Sequence, residues 1–266
     1  MLLSIIIPAH KQEKTILKDI TNIYEVMSHT RWDFEIIVVV DGLIDKTLEE
    51  AKKLKKPNVT VVGYETNKGK GYAVRYGMAR AEGDFISFID AGMDIDPNGI
   101  SMLLEHMVWY DADIIVGSKR HPVSQVQYPF IRKIYSFGYR MLCKILFGLD
   151  LKDTQTGLKV FKRKVLEKVL PRLLVKEFAF DIEVLAVAYH LGFRKIYEAP
   201  VKINLDLNNT HFTGAIIFDP FIKKMLTDTL AIFYRLKILN YYDDESSRKW
   251  TYDKELEMRV NTGELK

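Results

Sequence analysis

One cysteine, Cys143, is all that this chain of 266 residues contains, so an internal disulfide is excluded and no thiolate cluster is left for zinc. A lone thiol suits a reducing cytosol and implies no redox chemistry. Nowhere do about 18 apolar residues follow one another, so no segment is expected to span a bilayer, and any membrane contact has to be made from one side. The opening apolar run, residues 2–7, contains Ser4, stops at Pro8 and lacks a basic flank, and so reads as a first strand, not a signal peptide. Charge of one sign is scarce as well. A net charge of +4 permits attraction to phosphate or anionic lipid but is too small and dispersed to argue for nucleic-acid binding. Internal repeats and low-complexity tracts are missing. So are a P-loop and the dinucleotide fingerprint G-x-G-x-x-G, whose place after the first strand is taken by Pro8-Ala9-His10-Lys11.

What is present is an apolar content of 48%, enough for a large core and one elaborated domain. In the first half, short apolar runs at 3–7, 34–40, 59–64, 85–90 and 114–118 alternate with helical patterns at 13–28, 45–54, 72–81 and 100–110. Strands apolar on both faces, each followed by an amphipathic helix, predict a mostly parallel α/β sheet covered on both sides. Ligands of such sheets lie beyond the carboxyl ends of the strands, which puts Pro8 to His10, Asp41, Gly63 to Thr66 and Asp90 on one rim.

The most informative stretch is Asn67-Lys68-Gly69-Lys70-Gly71-Tyr72-Ala73-Val74-Arg75, followed by the run 85–89 that delivers Asp90. Glycines two apart allow close backbone approach, the lysines and Arg75 bring positive charge, and a carboxylate emerges from a buried strand. The set suits a nucleotide diphosphate held through a metal ion; a basic turn before a core strand is the plainer alternative. Past Ser118 the alternation fades. A helix is expected with Ile131, Ile134, Met141, Leu142 and Ile145 on one side and Lys133, Arg140 and Lys144 on another. A second, over 218–239, shows Phe218, Phe221, Ile222, Met225, Ile232, Phe233 and Leu236 against Lys223, Lys224, Arg235 and Lys237. Each of these helices either covers its own core or lies on a membrane surface. Residues 243–266 mix charges with few apolar anchors and read as a tail or docking segment.

From about Leu3 to Val201 the chain resembles the family 2 glycosyltransferases of the GT-A fold, nearest to the dolichyl-phosphate glucosyltransferases and dolichyl-phosphate mannose synthases. The resemblance is carried by Pro8-Ala9-His10, Val39-Val40-Asp41-Gly42, Asn67 to Gly71, Asp90-Ala91-Gly92, Gly117-Ser118-Lys119-Arg120, Asp153-Thr154-Gln155-Thr156-Gly157-Leu158-Lys159-Val160-Phe161 and Phe178-Ala179-Phe180-Asp181-Ile182-Glu183. It implies a Rossmann-like GT-A domain over 1–212, with 1–118 binding the nucleotide-sugar and 119–212 the acceptor, and an amphipathic helix and charged tail over 213–266. Donor contacts are expected from Pro8, Ala9, His10, Gln12, Asp41, Asn67, Lys70, Gly71, Asp90, Ala91, Gly92 and Lys119, and Mg2+ or Mn2+ ligation from Asp90 helped by Asp94. Asp90, Asp181, Arg132 and Lys119 are the catalytic candidates, with Arg120 a further cation.

The chain departs from the family pattern at three places. His10, Lys11 and Gln12 follow the Pro-Ala pair in place of an aromatic residue, asparagine and glutamate; Val40-Asp41 stands for an acidic pair; and Gly92 replaces the second aspartate of the metal motif. Asp94 serves as a metal helper, or Asp94 and Asp96 cap the helix begun by Pro97; Asp181 serves either as a base or as a helix N-cap. Asp153 is a second candidate base. The resemblance implies inverting, metal-dependent transfer of a hexose, UDP-glucose favoured over GDP-mannose, to a polyprenyl phosphate at the cytoplasmic face of a membrane. A soluble transferase acting on a saccharide or protein hydroxyl, and a non-catalytic nucleotide-sugar-binding protein, are the alternatives.

Overall fold

The fully apolar runs become the centre of one sheet. In the computed structural model, which describes residues 1–92, 94–124, 130–203, 220–243 and 248–265, with the backbone alone for 130–135, 220–221, 248–249 and 262–265, seven strands pair. They are β1 (Leu2–Ala9), β2 (Asp33–Asp41), β3 (Val59–Tyr64), β4 (Phe85–Ile89), β5 (Ile114–Ser118), β6 (Leu158–Lys162) and β7 (Ile196–Pro200). Their order is β3-β2-β1-β4-β6-β5-β7. Every pairing is parallel except those of β6, which runs against both β4 and β5. The five expected strands are all present. Strands β6 and β7 were not anticipated as strands, because β6 is hidden inside the Asp153–Phe161 motif and carries lysines at 159 and 162.

Alternate residues of each strand enter two cores. Ile5, Ile7, Ile36 and Val38 meet α1 (Ile16–Ser28) and α4 (Asn98–Trp109) on one face. Ile6, Ile37 and Val39 meet α3 (Lys70–Arg80), α5 (Phe130–Phe147), α6 (Arg163–Val169) and α7 (Phe180–His190) on the other. The short α2 (Thr47–Ala51) covers less than the expected 45–54. Helix α8 (Pro220–Lys237) closes the second core with Ile232 and Leu236. The boundary expected at 212 falls within residues 204–219, outside the described residues, and α8 after it packs on the same core as the sheet.

Both amphipathic helices cover the core with one face and expose a line of apolar side chains on another. On α5, Cys143 and Phe147 are buried while Phe137, Met141 and Ile145, spaced by four, stand 60%, 40% and 74% exposed. On α8, Ile232 and Leu236 are buried while Leu226, Leu230 and Tyr234, again spaced by four, are exposed. For the expected face of α8 the core-covering alternative holds at Ile232, Phe233 and Leu236, and the outward stripe is a different set of residues. Of the cations of α5, Arg140 and Lys144 both bond Asp150, at 2.8 and 2.9 Å.

The tail is a further correction. Residues 248–265 form an antiparallel hairpin, β8 (Arg248–Asp253) and β9 (Met258–Leu265). Tyr241 and Asn261 bond reciprocally, and the guanidinium of Arg172 donates to the Tyr242 carbonyl while lying 5.0 Å from the Trp250 ring. The hairpin turn reaches the glycine loop, where the Glu255 carboxylate accepts bonds from Lys68 Nζ and Tyr72 Oη.

Packing of α3 on the sheet depends on Gly77, whose position leaves no room for a side chain: a Cβ there would lie 2.4 Å from Ile6 Cγ2 and 2.9 Å from Val39 Cγ2. Gly77→Ala gains about 1 kcal/mol of helix propensity but overpacks a rigid strand surface, a cost of about 1–3 kcal/mol. The expected outcome is a net loss of stability, read in urea as a lowered midpoint with an unchanged m value.

Candidate active site

Asp90 leaves β4 at the rim and is positioned by the antiparallel neighbour: its amide donates to the Gly157 carbonyl at 3.0 Å. A Cβ on Gly157 would fall 1.9 Å from Asp90 Oδ2, so the carboxylate occupies the space a side chain would take. Lys70, the first residue of α3, donates to Asp90 Oδ2 at 2.8 Å. Its ammonium is also 2.7 Å from Oδ1 but is not aligned to bond it, and Oδ1 is left buried without a donor. Asp181 Oδ2 lies 3.9 Å from the same ammonium, while Asp181 Oδ1 pairs with Lys159, a fully buried side chain that also donates to the Thr156 carbonyl at 2.7 Å. Burial works against the charge on Lys70, but Asp90 and Asp181 outweigh it and its pKa rises. For Lys159 burial dominates and the pKa falls although Asp181 opposes this. The four groups alternate in sign from core to solvent.

The glycines around Lys70 serve a close approach within the protein. Gly69 has φ +95, and a Cβ there would lie 2.5 Å from the Lys176 carbonyl oxygen; a Cβ on Gly71 would lie 2.5 Å from Phe180 Cβ. They let the first turn of α3 touch the entry to α7, which is what brings Lys70 beside Asp181. Arg75 is turned inward, with Nη1 donating to the Leu173 carbonyl at 2.8 Å, and does not join the rim.

The remaining rim residues form a linked set. Pro8 and Ala9 end β1 and are buried. His10 Nδ1 lies 2.7 Å from the Asp41 carbonyl oxygen and 2.9 Å from the Asn67 side-chain nitrogen. The buried Asp41 carboxylate accepts the amides of Lys68 (2.7 Å) and Gly69 (3.0 Å), so it fixes the glycine loop with both oxygens. Gln12 starts α1: its side-chain oxygen accepts from Thr15 Oγ1 at 2.7 Å and its amide donates to Thr47 Oγ1 at 2.8 Å. Ala91 is half-buried, and Gly92 adopts φ +105 with its amide donating to Asp19 Oδ2 at 2.9 Å.

Asp19 was missed from the sequence, and its signal was there: it sits between Ile16 and Ile20 on the buried face of α1, where burial pushes its carboxyl pKa up. Asp94 is exposed, close enough to Asp19 to raise that pKa further. Asp96 takes the capping role, accepting the Asn98 amide at 3.0 Å at the start of α4. Asp181 is not an N-cap, since Ala179 holds that position. Asp153 folds its own turn, accepting from the Lys119 amide, Thr156 Oγ1 and the Gln155 amide. Glu183 is fully buried and holds the 173–175 loop through the amides of Leu174 and Val175, together with Tyr242 Oη.

A cleft of about 670 Å³ lies here, and its lining is mixed. Lys70, Asp90, Asp181, Lys119, Arg120 and Arg140 bring charge to it, and Leu142, Leu151, Phe178, Met225 and Leu226 bring apolar surface. Arg132 lies in the first turn of α5, but its side chain is outside the described residues. A second depression, bordered by Lys11, Gln12, Ile44 and Asp45, lies along the β1–β2 rim. Among the described residues no group of three or more His, Cys, Asp or Glu is placed to hold a metal. The unsatisfied Asp90 Oδ1 fits a single protein ligand of a divalent cation that draws its other oxygens from phosphate and water.

A family model described as glycosyl transferase family 2 matches residues 4–170. The dolichyl-phosphate beta-glucosyltransferase of Homo sapiens is 30% identical over 253 residues, 89% of this chain and 76% of that protein. The dolichyl-phosphate beta-glucosyltransferase of Dictyostelium discoideum is 28% identical over 250 residues, 88% of this chain and 74% of that protein. Among solved structures, glucosyl-3-phosphoglycerate synthase of Mycobacterium tuberculosis in complex with Mn2+, UDP and phosphoglyceric acid superposes with a TM-score of 0.64, at 19% identity, over 98% of this chain and 86% of that one. The expected GT-A fold is thereby borne out.

The fit of Asp90 against residue 157 yields a direct test. Gly157→Ala is expected to push the carboxylate aside and lower kcat by about 100-fold, as misplacement by about an ångström does. Steady-state kinetics on protein of unchanged melting temperature checks it.

Proposed function

The chain belongs to glycosyl transferase family 2, and from that premise we propose that it moves a hexose, glucose from UDP-glucose in preference to mannose from GDP-mannose, onto a polyprenyl phosphate with inversion at the anomeric carbon. The observation that carries this reading is the mixed lining of the cleft, in which cations and Asp90 share the space with five apolar side chains. A phosphate head on a hydrocarbon chain matches both kinds of lining, whereas a saccharide acceptor leaves the apolar side chains unused. Leu226 of that lining also belongs to the exposed stripe Leu226-Leu230-Tyr234, which with Phe137-Met141-Ile145 of α5 suits contact with one leaflet of a membrane. Among the described residues no helix is long and apolar enough to cross it. The cytoplasmic face is the side we assign, on the lone thiol and the nucleotide-sugar donor.

Donor cleavage leaves negative charge on the diphosphate while positive character grows on the sugar. Asp90 would hold Mg2+ or Mn2+, which supplies charge neutralisation to the departing diphosphate when bound. Lys119, Arg120 and Arg132 are the cations we assign to donor or acceptor phosphate. His10, Asn67 and the loop fastened by Asp41 form the nucleoside side, with Pro8, Ala9, Gln12, Gly71, Ala91 and Gly92 shaping it. Asp94 is the proposed outer helper of Asp90.

A lipid monophosphate is ionised near neutrality, its second pKa being about 6, and needs no strong base. This agrees with the carboxylates on hand: Asp181 is engaged by Lys159, and Asp153 by two donors of its own turn and the Lys119 amide.

The test is a transfer assay with UDP-glucose and GDP-mannose, each offered a polyprenyl phosphate, the matching polyprenol and a free sugar. Product is expected on the phosphate alone, with UDP-glucose the better donor, and Asp90→Ala should cut turnover by about 100-fold or more. Glycosylation of the polyprenol or sugar with none on the phosphate would overturn the reading. For the base question, Asp181→Asn alone strands a buried lysine at a cost of about 3–5 kcal/mol. The informative variant is therefore Asp181→Asn with Lys159→Met, which should retain phosphate transfer within about tenfold if no base is needed.

A further inference from the structure

Asp90 carries its own counter-ion. The Lys70 ammonium covers the carboxylate from 2.7 and 2.8 Å and hides the Oδ1 oxygen that no donor bonds. Behind it, Asp181 and Lys159 complete a row of two cations and two anions whose charges cancel. A divalent cation arriving alone at Asp90 would meet Lys70 at contact distance, with no new anion to offset the repulsion, in a partly buried site where screening is weak. Lys70 cannot withdraw by moving its helix, because Gly69 and Gly71 hold the first turn of α3 against Lys176 and Phe180. Only its side chain can turn, and because neighbouring Asp181 is already paired with Lys159, a full exchange of partner requires a new anion. A nucleoside diphosphate provides one.

Resting on the donor reading above, we propose that Lys70 is a positioning residue that occupies the cation face of Asp90 until a nucleoside diphosphate arrives and then transfers its ammonium to the phosphate oxygens, so that divalent metal enters this chain only together with nucleotide. Lys70 exchanges one anionic partner for another, no bond to carbon or phosphorus changes, and the divalent cation offsets two of the negative charges that the diphosphate brings. Because coupling is reciprocal, the metal raises nucleotide affinity by the factor by which nucleotide raises metal affinity.

The experiment titrates the full chain with Mn2+, following loss of the free-ion EPR signal, without and with saturating UDP, after subtraction of the Mn2+–UDP complex measured without protein. Isothermal titration of UDP with and without Mn2+ reads the same coupling from the other side. Wild type should bind Mn2+ at least about tenfold more weakly alone than with UDP, a coupling of ordinary size. In Lys70→Met, binding of Mn2+ alone should strengthen by about tenfold and the effect of UDP should shrink, while Lys70→Arg should restore the wild-type coupling. Equal Mn2+ affinity with and without UDP in wild type, or undiminished coupling in a folded Lys70→Met, would overturn the proposal and leave the donor reading standing. Uptake of UDP with no Mn2+ under either condition would remove the metal along with it, and binding of neither would sink the donor reading itself. The wild-type arm decides the matter even where Lys70→Met fails to fold.

Discussion

A buried ammonium organises this site. Lys159 comes from the middle of β6 and has no access to water, so its charge persists only with an anion and a carbonyl at hand, and Asp181 and Thr156 supply them. An unpaired charge at such depth costs several kcal/mol, enough to exhaust much of a domain's stability. The first turn of α7 is therefore fixed over the rim of the sheet. Once Asp181 is there, Lys70 sits between it and Asp90, and the carboxylate at the tip of β4 is aimed into the cleft. Charge neutrality, more than shape, sets the positions of these four side chains.

Close approach of backbone does the complementary work. Gly157 leaves space for the Asp90 carboxylate, and Gly69 and Gly71 let α3 meet α7. Asp41 ties the loop from below through two amides, and the hairpin ties it from outside through Glu255. The hairpin lies beyond the stretch matched by the family model, yet it fastens the loop that carries Lys70. A segment that looks peripheral in the chain thus helps to hold the loop at the rim of the cleft.

The parallel half of the fold was legible because its strands are apolar on both faces and its helices are regularly spaced. Asp90 could be picked out because it ends such a strand. Strand β6 was not legible, since Lys159 and Lys162 break its apolar pattern; the lysine that disguises the strand is the one whose burial organises the site. The glycine pair was noticed but its contact with the entry to α7 was not, as close approach to a ligand and close approach to another helix leave the same trace in a sequence. Arg75 was misjudged for a related reason: charge reveals nothing about direction, and this guanidinium points to the Leu173 carbonyl. The hairpin escaped notice because its strands are short, charged and anchored by Tyr241, Tyr242 and Asn261, whose contacts are long-range.

The replacement of the family's second aspartate by Gly92 takes on meaning in this setting. At φ +105 an aspartate would be strained, and the amide that the glycine presents is held by Asp19 beneath it. The turn after β4 is thus shaped by a buried carboxylate on α1, and on the proposed reading Asp90, with Asp94 only as an outer helper, is the protein's own contribution to a cation at the rim. A site with one inner carboxylate holds a bare divalent ion weakly, because most of its oxygen ligands must come from elsewhere. It would hold the ion well when a diphosphate brings those oxygens. The same diphosphate would relieve Asp90 of the lysine that covers it. On that reading Gly92 and Lys70 act in the same direction: both would make the nucleotide the partner that completes the site.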